Sequence, residues 1–263
     1  MRLLLVGCGK MGQALLARWQ ELKLYQDIYV IEPAAIAAAV PHVQQLGDLP
    51  AAFQPDVIVF AVKPQILPDV IGQYKRYTDK GALVLSIAAG KPIRFFAAAL
   101  GDAAAIVRAM PNTPAAIGCG MTVAAANDAV SAAQKDDAEK LLSAVGAFLW
   151  AEDEKWLDPV TAVSGSGPAY IFLLIEAMAA AGEKLGLPKD MAMTLARQTV
   201  IGAAALAADS ADTPAATLRE NVTSPGGTTA AALAVLMRDE NGMQSLFDEA
   251  LAAAAKRAEE LSR

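Results

Sequence analysis

The fold of this chain is decided by Leu3-Leu4-Leu5-Val6-Gly7-Cys8-Gly9-Lys10-Met11-Gly12. Leu3–Val6 is a short apolar run of the kind that fully buried parallel strands show, and an amphipathic segment, Met11–Leu22, follows it. The pattern G-x-G-x-x-G between them supplies a tight turn, a close backbone approach to a pyrophosphate and close helix–sheet packing. The free N–H groups at the helix start then bind the diphosphate. The stretch therefore predicts dinucleotide binding by a strand–turn–helix unit, with a plain tight turn as the alternative.

Strand-like and helix-like segments alternate outward from this stretch and then give way to helices alone. Further strand-like runs are Tyr29–Ile31, Val57–Val62, Leu83–Ile87, Ile106–Met110, Cys119–Ala125 and Ala147–Ala151. Helical patterns among them are Gln65–Tyr77 and Ser131–Val145, and those after Leu157 are Ala169–Leu185, Met191–Ala208, Thr229–Arg238 and Met243–Leu261. The order predicts an α/β N-terminal Rossmann-like doubly wound domain at residues 1–156 and an all-α helical domain at residues 157–263. The alanine-rich amphipathic helices of the second domain suit close association across subunits. We therefore expect this domain to mediate dimerisation.

The composition limits the classes of partner and site. The chain has 263 residues, of which 55% are hydrophobic and 19% charged, and its net charge is −6. These values exclude a disordered or fibrous chain, and the acidic balance predicts neither a nucleic acid nor an anionic membrane as partner. Mean hydropathy is high at +0.35, but the most apolar helical pattern, Ile171–Gly182, is interrupted by Glu176. We therefore expect a soluble, cytoplasmic protein without a membrane span.

One histidine and two cysteines leave little room for a metal site or a disulfide framework. We expect no metal, reduced thiols and no redox role for either cysteine. His42 is expected in a surface loop, Pro41–Gln45, without a functional role. Cys8 occupies a position in the glycine loop that any small residue could fill, and Cys119 is expected in the core of a strand.

Glu32 ends the second predicted strand, twenty residues after Gly12. An acid at this place normally accepts a hydrogen bond from the ribose 2′-OH of NAD and repels the 2′-phosphate of NADP. Pro33 follows directly and could turn the side chain towards solvent. The position therefore leaves a ribose ligand and a solvent-facing glutamate as alternatives, and it does not decide between NAD and NADP.

Five further loops lie at the ends of predicted elements. Ala61–Pro64, Ser86–Gly90 and Arg108–Pro114 follow strands, where ligands of open α/β sheets bind, although simple turns would look alike. Ser164–Tyr170 and Ser224–Thr229 each place small and hydroxyl residues before a helix. Free N–H groups at a helix start favour an anion, although an ordinary helix cap would have the same composition.

Taken together, these motifs resemble pyrroline-5-carboxylate reductase, the last enzyme of proline biosynthesis. The resemblance runs through almost the whole chain in order: GxGxxG at 7–12, AVKP at 61–64, SIAAG at 86–90, RAMPNTP at 108–114, TAVSGSGPAY at 161–170 and SPGGTT at 224–229. It implies an oxidoreductase that passes a hydride, mainly from NADPH and otherwise from NADH, to C5 of (S)-1-pyrroline-5-carboxylate and gives L-proline. It also implies a homo-oligomer built from dimers with interlocking helical domains, and often a decamer of five dimers.

The resemblance also implies roles for individual residues. The expected cofactor-binding residues are Gly7, Cys8, Gly9, Lys10, Met11, Gly12, Glu32, Asp48, Ala61, Val62, Lys63, Pro64, Ala88, Ala89 and Gly90. The expected substrate-binding residues are Asn221, Ser224, Gly226, Gly227, Thr228 and Thr229. Thr229 and Glu154 are the expected catalytic residues, the first at the ring nitrogen and the second near the substrate. An imine that arrives protonated is already electrophilic, so this chemistry requires no histidine.

Two other functions compete with this interpretation. A β-hydroxyacid-type dehydrogenase uses a lysine on the long interdomain helix, whereas Ala169–Leu185 carries Glu176 and only a distal Lys184. A non-enzymatic NAD(P)H-sensing protein would need only the features of the first domain. The anion loops of the helical half argue against such a sensor.

Overall fold

A computed structural model describes residues 1–262 and contains one eight-stranded sheet in the order β3-β2-β1-β4-β5-β6-β7-β8. The strands are β1 (Arg2–Val6), β2 (Asp27–Ile31), β3 (His42–Val43), β4 (Val57–Phe60), β5 (Leu83–Ser86), β6 (Ile106–Met110), β7 (Gly120–Ala126) and β8 (Gly146–Trp150). Neighbouring strands pair in parallel except β6 and β7, which are antiparallel. The strand order reverses between β1 and β4, so the carboxyl ends of these strands form the ligand-binding edge expected of a doubly wound sheet.

The helices lie between the strands and, after β8, follow one another. They are α1 (Lys10–Glu21), α2 (Leu67–Val70), α3 (Lys75–Thr78), α4 (Ile93–Leu100), α5 (Ala132–Ser143), α6 (Leu157–Val160), α7 (Gly167–Lys184), α8 (Lys189–Asp209), α9 (Ala215–Asn221), α10 (Thr228–Leu236) and α11 (Met243–Leu261). Short 3₁₀ turns occur at Leu46–Asp48, Ile71–Tyr74, Thr113–Ile117 and Glu154–Trp156, and Thr161–Gly165 forms one π-helical turn. This arrangement confirms the predicted fold class.

The alternating side chains of β1 divide the core into two layers. Leu3 and Leu5 pack with residues of α1 and α5 on one face of the sheet, whereas Leu4 and Val6 pack with α2–α4 on the other. Burial on both faces explains why the strand reads as a continuous apolar run rather than an alternating one. Trp19 of α1 is fully buried and donates its indole N–H to the carbonyl of Leu141 at 2.8 Å, which ties α1 to α5.

Three local predictions were wrong. His42 does not lie in a loop: it begins β3, where its Nε2 is 2.6 Å from the carbonyl oxygen of Glu32. Cys119 is exposed because it precedes β7 instead of lying in its core. The helix predicted at Gln65–Tyr77 is broken into α2, a 3₁₀ turn and α3, since a residue such as Gly72 favours the helix interior poorly.

The chain divides into two compact units. The sheet unit comprises Met1–Ser166 together with the segment from Ala254 onward, and the helical unit comprises Gly167–Ala253. This division differs from the domain boundary predicted between residues 156 and 157. The difference has a packing cause, because Leu157 is fully buried in a cluster with Val123 and Ala125 of β7.

Within the helical unit, α7 and α8 pack closely along one another. A Cβ built on Gly182 of α7 would lie 3.2 Å from the Cβ of Ala192 of α8. Many large apolar side chains of these helices, such as Phe172 and Leu206, are exposed in the single chain. Among the described residues, Glu154–Lys184 and Lys189–Asp209 are long and apolar enough to span a membrane, by length and composition alone. Both stretches present apolar surface that the single chain leaves uncovered.

Candidate active site

The glycine loop between β1 and α1 has the shape of a diphosphate cradle. Gly7 adopts a φ of +89°, and a Cβ on it would lie 2.8 Å from the backbone nitrogen of Val62. A Cβ on Gly12 would lie 2.7 Å from the carbonyl oxygen of Gly7, so both positions exclude a larger residue. A Cβ on Gly9 meets no described atom within 4 Å. Gly9 therefore leaves open space at the start of α1, where free N–H groups can bind an anion.

Glu32 points at this cradle. Its Oε2 accepts a hydrogen bond from the backbone N–H of Cys8 at 2.8 Å, and its Oε1 accepts one from Ala34 at 3.2 Å. Pro33 thus does not turn the carboxylate away from the glycine loop, and a contact between Glu32 and a ribose stays a prediction. Burial, followed by the negative charge of Glu32, raises the pKa of the Cys8 thiol. Cys8 therefore stays protonated and poorly nucleophilic at neutral pH.

The turns after β4 and β5 reach the same edge of the sheet. A Cβ on Gly7 would lie 2.7 Å from Cγ1 of Val62 in the Ala61–Pro64 turn, and the N–H of Ala61 donates to the carbonyl of Val6 at 2.8 Å. In the next turn, Ser86 Oγ accepts the N–H of Ala88 at 3.2 Å. The structure therefore brings the glycine loop and the strand-end turns together at one edge, as the sequence predicts. Asp48 lies in an exposed turn, where it accepts a hydrogen bond from Gln45 Nε2 at 3.1 Å.

Asn112, which was not among the predicted site residues, connects two of the motif loops. Its Oδ1 accepts the N–H of Met121 at 2.8 Å, and its Nδ2 donates to the carbonyl of Ser164 at 3.0 Å. Ser164 belongs to the π-helical turn Thr161–Gly165 and Met121 to β7, so Asn112 joins this turn to that strand. The signal for Asn112 is present in the RAMPNTP motif, but only the fold shows what it bonds.

Glu154 belongs to an ion-pair cluster around the buried Arg108. Its Oε1 accepts Arg108 Nη1 at 3.0 Å and also the backbone N–H of Ile93, the first residue of α4, at 2.8 Å. Arg108 Nη2 donates to Asp158 Oδ1 at 3.2 Å. The Arg108 side chain is only 6% exposed, so its charge depends on these carboxylates for compensation. These contacts of Glu154 hold neighbouring elements of the sheet unit together.

The predicted substrate-binding residues all lie between the end of α9 and the first turn of α10, in the helical unit. Asn221 ends α9, and the turn Ser224–Gly227 closes with a hydrogen bond from the N–H of Gly227 to the carbonyl of Ser224 at 3.0 Å. Gly226 has a φ of +69°, which explains a glycine there. Gly227 then caps α10, so Thr228 and Thr229 lie in its first turn. Their free N–H groups suit a carboxylate.

The described residues contain no group of three or more His, Cys, Asp or Glu side chains that could hold a metal ion. Thr229 lies in the helical unit and Glu154 in the sheet unit. The two predicted catalytic residues therefore belong to separate compact bodies of the chain.

Comparison with known proteins identifies the family. A family model for pyrroline-5-carboxylate reductase dimerisation matches residues 154–261, and one for NADP oxidoreductase, coenzyme F420-dependent, matches residues 2–90. A pyrroline-5-carboxylate reductase of Pseudomonas aeruginosa is 49% identical over 207 residues, which are 79% of this chain and 75% of the relative. The chain belongs to the pyrroline-5-carboxylate reductase family.

Two solved structures of pyrroline-5-carboxylate reductases extend the likeness to the whole chain. The enzyme from Coxiella burnetii superposes with a TM-score of 0.91 at 37% identity and covers 99% of this chain and 98% of its own. The Plasmodium falciparum reductase, solved with NADP bound, has a TM-score of 0.86 at 30% identity and covers 100% of this chain and 98% of its own. The resemblance drawn from the motifs is confirmed.

The two family matches correspond to the two parts of this chain. The dimerisation match covers the helices that expose apolar side chains, and the NADP oxidoreductase match covers β1 to β5. The β-hydroxyacid-type alternative loses support, because Lys184 is the last residue of α7 and not a residue of its middle.

Proposed function

We propose that this member of the pyrroline-5-carboxylate reductase family reduces (S)-1-pyrroline-5-carboxylate to L-proline with a hydride from NAD(P)H, the last step of proline biosynthesis. The observation that carries the proposal is the likeness to the Coxiella burnetii reductase over 99% of the chain, which includes both the glycine cradle and the start of α10. A non-enzymatic NAD(P)H sensor would need only the first of these.

The fit of a dinucleotide rests on the cradle itself. Gly7 and Gly12 are closed to side chains, whereas Gly9 faces open space at the start of α1. We propose that the residues of the Gly7–Gly12 loop hold the diphosphate and that Lys63, Pro64 and Ala88–Gly90 line the nicotinamide half. When bound, the reduced nicotinamide supplies the hydride, and the chain positions and shields the two reactants.

We propose that the substrate binds at the start of α10. Backbone N–H groups of Gly227–Thr229 hold its carboxylate, since a helix start favours an anion. The hydroxyl of Thr229 contacts the ring nitrogen. Hydride addition to C5 of the protonated C=N bond converts the iminium into the secondary amine of L-proline, and the nitrogen keeps its proton. No group of the chain has to ionise in that step.

Glu154 fits better as a positioning residue than as a substrate contact. Its Oε1 is already shared between the buried Arg108 and the N–H of Ile93. We propose that Glu154 holds β6 and the start of α4 together and so supports the strand-end turns. Asp48 remains a proposed cofactor residue only on the resemblance.

We propose a homodimer as the functional assembly, in which residues 1–156 bind the dinucleotide and residues 157–263 carry the surface for dimerisation. The exposed apolar faces of α7 and α8 support a dimer, because a partner chain would bury the apolar side chains that give these helices the composition of a membrane span. We also propose a cytoplasmic location without membrane or nucleic-acid partners, on the acidic composition, and assembly of five dimers into a decamer, on the resemblance. Light scattering at a multiple of the 27.3 kDa chain mass reports the assembly.

The test is turnover by purified protein. Mixed with pyrroline-5-carboxylate, it should oxidise NADPH or NADH, followed at 340 nm. Thr229→Ala should lower kcat and leave the dinucleotide Kd unchanged. Thr194→Ala is a matched control, because the exposed Thr194 hydroxyl donates to the carbonyl of Asp190 in its own helix at 2.8 Å. Cofactor binding without any turnover would overturn the proposed reaction in favour of a sensor.

A further inference from the structure

The carboxylate of Glu32 is fixed beside the glycine cradle by its own backbone surroundings. It accepts N–H groups from Cys8 at 2.8 Å and from Ala34 at 3.2 Å, and the carbonyl oxygen of Glu32 itself lies 2.6 Å from His42 Nε2. Three neighbouring segments, the glycine loop, the turn after β2 and the strand β3, therefore hold this residue in place. A side chain with these contacts does not swing out of the way of a ligand without losing hydrogen bonds.

The chemistry of this carboxylate suits hydroxyl donors. An ionised carboxylate is an acceptor with about four lone-pair sites, of which the two backbone N–H groups use two. The remaining sites can accept the O–H groups of an unmodified ribose. A phosphate monoester offers no such donor in its dianionic form and carries a charge of about −1.5 to −2 at pH 7.

The chain around Glu32 supplies no cation to compensate such a phosphate. The stretch from Pro33 to Val62 contains no Lys or Arg. A cleft of about 270 Å³ beside Cys8 is lined only by uncharged residues, among them Gln13, Gln20, Ile36 and Ala38. The cations that flank the stretch, Lys10 and Lys63, lie in the glycine loop and in the turn after β4. A site for a 2′-phosphate normally includes an arginine close to the end of the second strand.

We propose that Glu32 makes this protein select the dinucleotide with a free ribose 2′-hydroxyl, so that NADH binds more tightly than NADPH. The inference rests on the proposed function only in taking the glycine cradle as the dinucleotide site. It sets this chain apart from the Plasmodium falciparum relative solved with NADP, and from the preference for NADPH that the resemblance implies.

Binding, rather than turnover, tests the selection directly. We expect calorimetric titration of the full-length protein to give a Kd for NADH at least about tenfold below that for NADPH, because one like-charge contact costs a tenfold factor or more. Glu32→Gln keeps an acceptor for the N–H of Cys8 and removes the charge. It should lower the Kd for NADPH about tenfold while changing that for NADH by less.

Glu21→Gln is the matched control, since Glu21 is an exposed glutamate at the end of α1 and its loss should leave the Kd ratio unchanged. Tighter binding of NADPH by the unaltered protein would overturn the proposal, whatever the variants do. An unchanged ratio in Glu32→Gln would overturn it as well. If NADH is selected but pyrroline-5-carboxylate is not reduced, the inference stands and the proposed reaction falls.

Discussion

Arg108 and Glu154 form a 3.0 Å ion pair in which the guanidinium is almost fully buried and the same carboxylate oxygen also accepts the N–H of Ile93. The pair connects β6, the turn Glu154–Trp156 and the start of α4. Asp158 completes the cluster from α6. Because β6 and α4 flank the turn at the end of β5, the cluster supports the edge of the sheet at which the dinucleotide is proposed to bind.

Removing the guanidinium should destabilise the protein strongly. Arg108→Met leaves Glu154 and Asp158 without their cation, and breaking such a pair typically costs about 3 kcal/mol of unfolding free energy. Urea denaturation followed by circular dichroism measures the change. Arg257→Met removes an exposed partner of Glu260 and should cost less than about 1 kcal/mol. Equal losses in the two variants would contradict the structural importance of the cluster.

Replacing the carboxylate separates a positioning role of Glu154 from direct contact with substrate. Glu154→Gln can still accept the N–H of Ile93 but pairs less strongly with Arg108. We expect a loss of about 1–2 kcal/mol in unfolding free energy and little change in the pH profile of kcat. A large fall in kcat at unchanged stability would instead place Glu154 in contact with the substrate.

The glycines of the cradle should respond differently to one added methyl group. Gly9→Ala fills space that the described chain leaves open, so it should weaken dinucleotide binding while leaving the melting temperature unchanged. Gly12→Ala forces a Cβ to within 2.7 Å of the carbonyl oxygen of Gly7. It should therefore lower both the dinucleotide affinity and the melting temperature. Thermal scanning with dinucleotide titration measures the two effects. A lower melting temperature for Gly9→Ala would show that the space at Gly9 is not free.

The two cysteines should differ in reactivity. Cys119 is exposed, whereas Cys8 is buried and its pKa is raised by burial and by Glu32. At pH 7.5, iodoacetamide should modify Cys119 first, because alkylation requires an accessible thiolate. Peptide mass spectrometry locates the adduct, and Cys119→Ser should leave the folded protein almost unmodified. Rapid alkylation of Cys8 would contradict the burial described for the glycine loop.

The Arg2–Asp56 pair should make a small contribution to the free energy of unfolding that is lost at acid pH. Hydrogen bonding to Arg2 lowers the pKa of Asp56 below 3.8 in the folded state. A depressed carboxyl pKa contributes stability above the unfolded pKa, and this is lost as the pH falls through the folded pKa. Since both side chains are about two-fifths exposed, the contribution is at most about 1 kcal/mol. Asp56→Asn should make unfolding free energy less dependent on pH below 4, and an unchanged slope would contradict the pairing.

The sequence predicted the parts of the fold that local patterns determine. Leu3–Val6 differs from β1 by a single residue, because a buried parallel strand is apolar throughout. The strand at His42 could not be predicted, since two residues show no periodicity and the strand exists only through its pairing with β2. Likewise, Arg108 and Glu154 are 46 positions apart, and no spacing rule relates residues joined only by tertiary packing.

The segment from Ala254 onward belongs to the sheet unit, although the helical unit precedes it in the chain. A Cβ on Gly90 would lie 2.8 Å from the carbonyl oxygen of Leu261, and Ser262 Oγ lies 3.3 Å from Asp158 Oδ1. The helical unit is therefore an insertion in the sheet unit, since the chain both before and after it belongs to that unit. A protease cut in the connection between α8 and α9 would leave two fragments that stay bound to each other, because each contributes part of the sheet unit.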